Sequence, residues 1–332
     1  MGSLEYNARI KNVSIVCAVL VVCIHLPVPE SHNGVSYSCW SGIQSVASVA
    51  VPFFFLFSGY FLSAHFDEGG WWWREFKKRI HTILVPSIIW SCFVLINLEC
   101  TRLFQSALLG VQADYNMDAL KWFGLDLTSM PGAFPLWFLR NLILLVVTSA
   151  FIKRYIDSFR WLGVLALYIL YLCYLIKGSR SMFLDYGYSL VGLLYFSAGV
   201  ACRRARTLTI GNVVETASMF ISLIFLVSAW VLGFEEVRGV WLHISIPFMM
   251  IALWRCISGR EWNRALVSFA FPIYVMHIIV QPHAYSVVKY LHIPYLLAFA
   301  CQWLLCIVLP VMFAILCRRF LPSGAKLLFG GR

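Results

Sequence analysis

The feature that most constrains this chain is the recurrence of long apolar runs that polar residues interrupt only briefly. Walking from one polar break to the next gives apolar segments at 10–29, 40–64, 80–98, 134–152, 161–177, 183–202, 213–233, 237–254, 265–288 and 294–317. A helix needs about 20 residues to cross the hydrocarbon core of a bilayer, so the pattern predicts about ten transmembrane helices. The least distinct divisions are at Gly178, Ser179, Arg180 and Ser181, and at Phe234, Glu235 and Glu236. The first run has no small-residue cleavage site and more spans follow it, so it reads as a helix and not as a cleavable signal peptide. Composition agrees: the chain is 61% hydrophobic and 12% charged, where a soluble domain carries about 25% charged residues. No repeat, low-complexity tract or linker divides it, and residues 1–332 read as a single membrane domain.

The formal charge of +11 does not point to nucleic acid, because the cations fall in short clusters between apolar runs with no aromatic-interleaved basic face. With the N-terminus in the cytoplasm, the inner loops collect Arg9, Lys11, Arg74, Lys77, Lys78, Arg79, Lys153, Arg154, Arg160, Arg203, Arg204, Arg206, Arg255, Arg260, Arg264, Arg318, Arg319, Lys326 and Arg332. The outer loops collect Arg102, Lys121, Lys177, Arg180, Arg238 and Lys289. This excess of about three to one follows the positive-inside rule. With the apolar runs it predicts an all-α integral membrane protein of about ten spans with both termini cytoplasmic.

The longest non-spanning piece, 99–133, alternates Asp114, Asp118 and Asp126 with Leu120, Trp122, Phe123 and Leu125, a pattern suited to an interfacial helix or lid. The eleven cysteines mostly sit inside apolar runs without metal-type spacing and read as small buried hydrophobes. Cys39 and Cys100 fall nearer the outer face, but nothing in the sequence brings their backbones within disulfide range.

Ionisable groups inside spans are expensive and usually face a cavity or a partner. His25 lies on the order of 20 Å along the first helix, and His277 lies at a similar depth in the ninth, which runs the same way. Arg140, His243 and Asp185 fall in the same outer layer. A lone histidine near a helix end is commonly a hydrogen-bonded structural residue, the plainer reading for His243 and His277; His25 is the better functional candidate. Asp185 also suits an interfacial cap. Arg140 suits a snorkelling role or stabilisation of an oxyanion.

On the inner side, Trp71, Trp72 and Trp73 precede Arg74, Lys77, Lys78 and Arg79. Such a run serves equally as a membrane-surface anchor or as a phosphate-recognising mouth. Nucleotide-binding glycine loops, an H-E-x-x-H or His–Cys metal cluster and a G-x-S-x-G elbow are all missing, so no metal is expected. Ser58-Gly59 suggests close helix packing or a local break.

Together, SIVCAVLVVCIH, PFFFLFSGYFLS, KKRIHTILVPSIIW, LWFLRNL and FPIYVMH, in this order over nearly the whole chain, resemble the acyltransferase-3 family of integral membrane acyltransferases. The resemblance implies an inner (plasma) membrane protein of about ten helices around a buried polar cavity, which transfers an acyl group, commonly acetyl, from a cytoplasmic acyl-CoA such as acetyl-CoA to a hydroxyl of an extracytoplasmic or lipid-linked glycan. It maps the family's essential first-helix histidine to His25, its basic pair to Lys78 and Arg79, and its W-F-L stretch to Trp137, Phe138 and Leu139. One departure stands out: where the family often has a basic residue eleven positions before that histidine, this chain has Ser14, with Lys11 and Arg9 a turn or more earlier. Either Lys11 substitutes from another angle, or the donor is bound differently.

The chemistry fits the residues themselves. An imidazole can remove the proton of an attacking hydroxyl or accept the acyl group itself. The expected site therefore has His25 as general base, Arg140 or His277 at the oxyanion or acceptor, and Lys11, Arg74, Lys77, Lys78 and Arg79 at the donor phosphates. A transporter using midplane His, Arg and Asp is the competing class; it predicts inverted repeats, and none is visible. A non-catalytic partner in glycan assembly is a third reading, and the oligomeric state stays open.

Overall fold

The computed structural model describes residues 3–32, 34–109, 118–178, 180–205, 211–260 and 262–331; Asp114, Ser179, Arg206 and Arg332, named above, lie outside them. Every regular element among the described residues is helical. The chain runs through α1 (Ser3–Ile24), α2 (Gly34–Ala47) and α3 (Ala50–Ser63), then α4 (Trp71–Arg79), which passes through a π-helical turn into α5 (Val85–Leu109). The short α6 (Ala119–Trp122) precedes α7 (Trp137–Val147) and α8 (Ser149–Lys177), and a second π turn leads into α9 (Leu190–Arg204). The remainder is α10 (Asn212–Leu232), α11 (Phe234–Val237), α12 (Val240–Cys256), α13 (Arg264–Val267), α14 (Ala270–Tyr290), α15 (Tyr295–Phe320) and α16 (Pro322–Leu328).

Six stretches among the described residues are long and apolar enough to cross a bilayer: Asn7–Ile24, Gly34–Ser63, Trp71–Phe104, Ser149–Lys177, Asn212–Leu232 and Tyr295–Phe320. They divide into inner and outer helices. Within Gly34–Ser63, 61% of the apolar window is buried in protein, against 11% for Ser149–Lys177. Leu162 on α8, Val231 on α10 and Leu316 on α15 are exposed, which places apolar side chains where lipid tails, not protein, surround them. The chain is an all-α integral membrane protein.

Each apolar run becomes helix, with instructive differences. The run 40–64 is two helices, interrupted at Ser48 and Val49, so the break falls ten residues before Ser58-Gly59. Gly59 instead marks packing. A Cβ there would stand 2.0 Å from the Phe196 carbonyl oxygen, and one on Gly199 would stand 1.9 Å from that of Leu56. The backbones of α3 and α9 therefore touch, the close approach that small residues permit where lipid offers no hydrophobic drive between helices. Between the fourth and fifth runs the helix is kinked at Arg160, whose φ is 48° and ψ −129°.

The piece 99–133 is less lid-like than its pattern suggests. Residues 99–109 continue α5, and among the described residues before 133 only Ala119–Trp122 forms a further helix, capped by the Asp118 carboxylate accepting from the Leu120 N–H at 2.9 Å. Trp122 is buried, and its indole donates to the Ser91 carbonyl at 3.1 Å. Cys39 and Cys100 are free thiols.

α1 is held against α3 and α14 in the interior. Its lower part is fixed by Asn12, fully buried, whose amide donates to the carbonyls of Ser258 at 3.0 Å and Arg260 at 2.7 Å while its oxygen accepts from the Trp262 N–H at 3.3 Å. This satisfied polar group pins the helix to the connection between α12 and α13.

Candidate active site

The site begins where α1 stops. Pro27 and Pro29 lie just ahead, and the residue preceding a proline is disfavoured from helical geometry, so the helix ends at Ile24 inside the protein. A helix end leaves its last carbonyls without intrahelical partners. Here side chains supply them: Gln44 donates to the Cys23 carbonyl at 2.8 Å, Gln281 to that of His25 at 2.6 Å, and the Tyr295 hydroxyl to that of Pro27 at 2.8 Å. His25 thus sits on the first non-helical residue, its backbone fixed from α14.

α14 also brings His277, and the two imidazoles stack with ring centroids 5.1 Å apart at 28°. Phe134 closes one side of His25, edge-on at 5.8 Å. His277 is fully buried. Its Nδ1 lies 3.3 Å from the Ile273 carbonyl, an acceptor, so that nitrogen carries the proton. The Nε2 is then a bare acceptor, buried and without a hydrogen-bond partner among the described residues. An orphaned buried acceptor of this kind costs about 1–3 kcal/mol, and it is tolerated at functional sites because a ligand supplies the missing donor.

One turn before His277, Tyr274 is buried and donates its hydroxyl to the Pro135 carbonyl. Its ring is the inner wall of a cavity of about 540 Å³, a size within the range of ligand sites. Phe54, Phe57, Phe138, Leu139 and Leu142 make the body of this cavity apolar, whereas Lys11, His65, Lys78 and Arg79 gather at its polar end. Ser14 also lines it, with its hydroxyl turned back to the Ile10 carbonyl at 2.8 Å.

Glu75 organises that polar end. It is buried, with Arg79 at 3.4 Å and Lys78 and His65 each at 3.8 Å from its carboxylate. Of the four cations expected from this run, the fold therefore brings two to the cavity, joined by Lys11 from α1. The other two lie elsewhere. Arg74 is paired with Glu68, and Lys77 lies over the Trp73 ring at 5.0 Å, on the aromatic face where an anchor belongs.

The outer layer of ionisable groups separates in the same way. Arg140 donates to the carbonyls of Gly124 at 3.2 Å, Asp126 at 3.0 Å, Ser129 at 3.3 Å and Tyr186 at 2.8 Å. A guanidinium spent on four backbone carbonyls ties the 124–129 loop to the turn before α9. Asn141, one residue on and buried, does the same for that turn, donating to Tyr186 at 2.6 Å and accepting from the Ser189 N–H at 2.7 Å. His243 meets the Tyr171 hydroxyl at 3.0 Å, and Asp185 meets Arg180 at 3.0 Å and Tyr174 at 3.1 Å.

Gln44, Glu75, Asn141, Tyr274 and Gln281 are absent from the sequence-based set. The signal was present in Gln44, Glu75, Asn141 and Gln281, each a polar residue in or beside an apolar run; Tyr274 was marked only by its place in the FPIYVMH stretch.

No curated protein and no solved structure matches the chain. A family model for an acyltransferase domain, that of the acyltransferase-3 type, matches residues 7–319, nearly the whole chain and every element of the site. The protein belongs to that family and is a membrane acyltransferase.

Proposed function

We propose that the protein moves an acyl group, acetyl in the first instance, from acyl-CoA to a hydroxyl of an extracytoplasmic or lipid-linked glycan, with His25 as general base. The observation that carries this reading is the stacked His25–His277 pair next to the inner wall of an apolar cavity whose other end holds three cations. Lys11, Lys78 and Arg79 suit the phosphates of CoA, as compact and forked cations do. The aromatic and aliphatic walls suit the pantetheine arm and hold its thioester away from water.

In the proposed reaction a ring nitrogen of His25 takes the hydroxyl proton as the hydroxyl oxygen bonds to the thioester carbonyl carbon. The tetrahedral oxyanion collapses, the carbon–sulfur bond breaks, and the leaving thiolate takes the proton back from the imidazolium. The products are an ester and CoA thiol, and the base is restored. His277, with its proton directed to Ile273, offers a second acceptor that orients the incoming hydroxyl. Arg140 acts here as a positioning residue, through the backbone it holds.

The charge bias supports ten crossings with both termini in the cytoplasm of an inner membrane, which puts the cationic end of the cavity on the acyl-CoA side. The test is transfer of label from radiolabelled acetyl-CoA into the glycan fraction of membranes carrying the intact protein or His25→Ala at equal level. Label that appears with the first and vanishes with the second is the expected result. Transfer that persists in His25→Ala sinks His25 as base.

A further inference from the structure

Beyond the donor cavity, interruptions of several helices converge on one place. α1 ends at Ile24, α2 and α3 break at Ser48, and non-helical backbone at Tyr188 and Ser189 precedes α9. Irregular backbone at membrane depth is tolerated only where protein buries it or it lines a polar cavity. Ile24, Ser48 and Ser189 all line one pocket of about 230 Å³, together with Trp137, Tyr171, Arg180, Asp185, Tyr186 and His243.

Each pocket reaches the histidine pair through a neighbour: the donor cavity through Tyr274, whose ring lies 6.2 Å from that of His277, and this pocket through Ile24, next to His25. Along α7, Phe138 faces the donor cavity and Trp137 the second pocket; along α3, Phe54 faces the first and Pro52 the second. The Tyr186 ring lies 5.8 Å from Phe134, the ring edge-on to His25, and 5.3 Å from Trp137. On α1 the nearest lining residues of the two pockets are Ser14 and Ile24, about 15 Å apart at helical rise.

The lining chemistry identifies the occupant. Trp137 and Tyr186 present flat apolar rings, the surface on which the C–H face of a sugar ring rests. Asp185, His243 and the Tyr171 hydroxyl offer acceptors and donors around them. The one guanidinium, Arg180, is already paired with Asp185 at 3.0 Å, so the pocket carries little net charge and favours a neutral polyol over a phosphate. Its volume is below the roughly 300–1,000 Å³ of sites for drug-sized ligands, which suits one ring and not an oligosaccharide.

Resting on the acyl-transfer reading above, we propose that this second pocket is the acceptor subsite: it takes a single neutral sugar ring, seated on Trp137 and Tyr186 and hydrogen-bonded by Asp185 and His243, and turns one hydroxyl toward His25. Donor and acceptor then approach the base from different pockets.

The test uses the full chain in lipid nanodiscs, titrated separately with acetyl-CoA and with methyl glycosides of glucose, rhamnose and N-acetylglucosamine, followed by tryptophan fluorescence. At least one glycoside is expected to bind saturably. Asp185→Asn and Tyr186→Leu are each expected to weaken it about tenfold, equivalent to about 1.4 kcal/mol, while acetyl-CoA binding stays within twofold. Lys78→Ala is expected to do the reverse. Tyr171→Phe, which keeps the ring and its packing, serves should either of the first two variants fold poorly, and must weaken the same glycoside. Glycoside binding untouched by these variants, or no saturable glycoside binding by protein that binds acetyl-CoA, overturns the proposal. A protein that binds no acetyl-CoA overturns the acyl-transfer reading instead, so the two failures are distinct.

Discussion

Gln281 gives the sharpest test of how His25 is held. Its amide is the group that fixes the His25 carbonyl, at 2.6 Å, and no residue touching the donor end is involved. Gln281→Leu keeps most of the volume and removes the donor. A buried carbonyl left without its partner costs about 1–3 kcal/mol, and the chain recovers part of that by letting the turn after Ile24 move. Movement there carries the imidazole with it. If the whole cost appears as misplacement of the base, the barrier rises by the same amount, which corresponds to a rate loss of about 5- to 150-fold. Membranes with equal protein levels, assayed for initial rates of label transfer across acetyl-CoA concentrations, should show that loss in kcat with KM unchanged. Gln281→Glu, which sets a carboxylate against the carbonyl, should be at least as impaired. A Gln281→Leu rate within twofold of the intact protein refutes the idea that this hydrogen bond positions the base.

Further outcomes follow from the geometry. Lys78→Ala and Arg79→Ala should each raise KM for acetyl-CoA and flatten its dependence on salt, because screened phosphate attraction is what they remove; Arg74→Ala and Lys77→Ala should leave KM within about twofold. Gly199→Val should abolish the folded protein or lower its melting temperature by many degrees, since the obstacle is the Leu56 backbone and overpacking already costs about 1–3 kcal/mol where side chains can yield; Gly69→Ala, with open space around it, should have no such effect. Asp67 hydrogen-bonds to Arg204 at 2.6 Å, and that guanidinium holds its carboxyl below the usual carboxylate range. A depressed folded value means the contribution is present above the unfolded value near 4 and is lost as pH falls through the lower folded value. Melting temperature measured across that acid window should therefore fall more steeply for the intact protein than for Asp67→Asn.

Where the protein's architecture was legible in advance, one strong signal carried it. Apolar runs set the helices, because nothing except burial in lipid or protein accommodates twenty such residues. His25 and His277 stood out for the complementary reason, as ionisable groups where hydrogen bonding is scarce. What periodicity missed was the local path of the backbone. The break at Ser48 and Val49 falls one turn before Pro52, which has no N–H to offer the Ser48 carbonyl, and the kink at Arg160 falls on a residue with no turn signature. The grouping of cations was equally hidden: Arg74, Lys77, Lys78 and Arg79 share one helix, but only α4's orientation against Glu75 decides which of them reach the cavity. The backbone contacts of Arg140 were hidden as well, because four carbonyls from two distant segments cannot be seen to converge on it in one dimension.

The placement of the histidine pair next to two cavities has an electrical consequence. In the proposed reaction the acyl group leaves sulfur for oxygen while a proton leaves oxygen and ends on sulfur, and the CoA phosphates never leave their side. The thioester and hydroxyl enter neutral at the reacting atoms, and the ester and thiol depart neutral. The two transfers therefore cancel in charge, and each turnover moves no net charge across the membrane. Glycan esterification of this kind should proceed at the same rate in energised and depolarised membranes, because the potential has no translocated charge to act on.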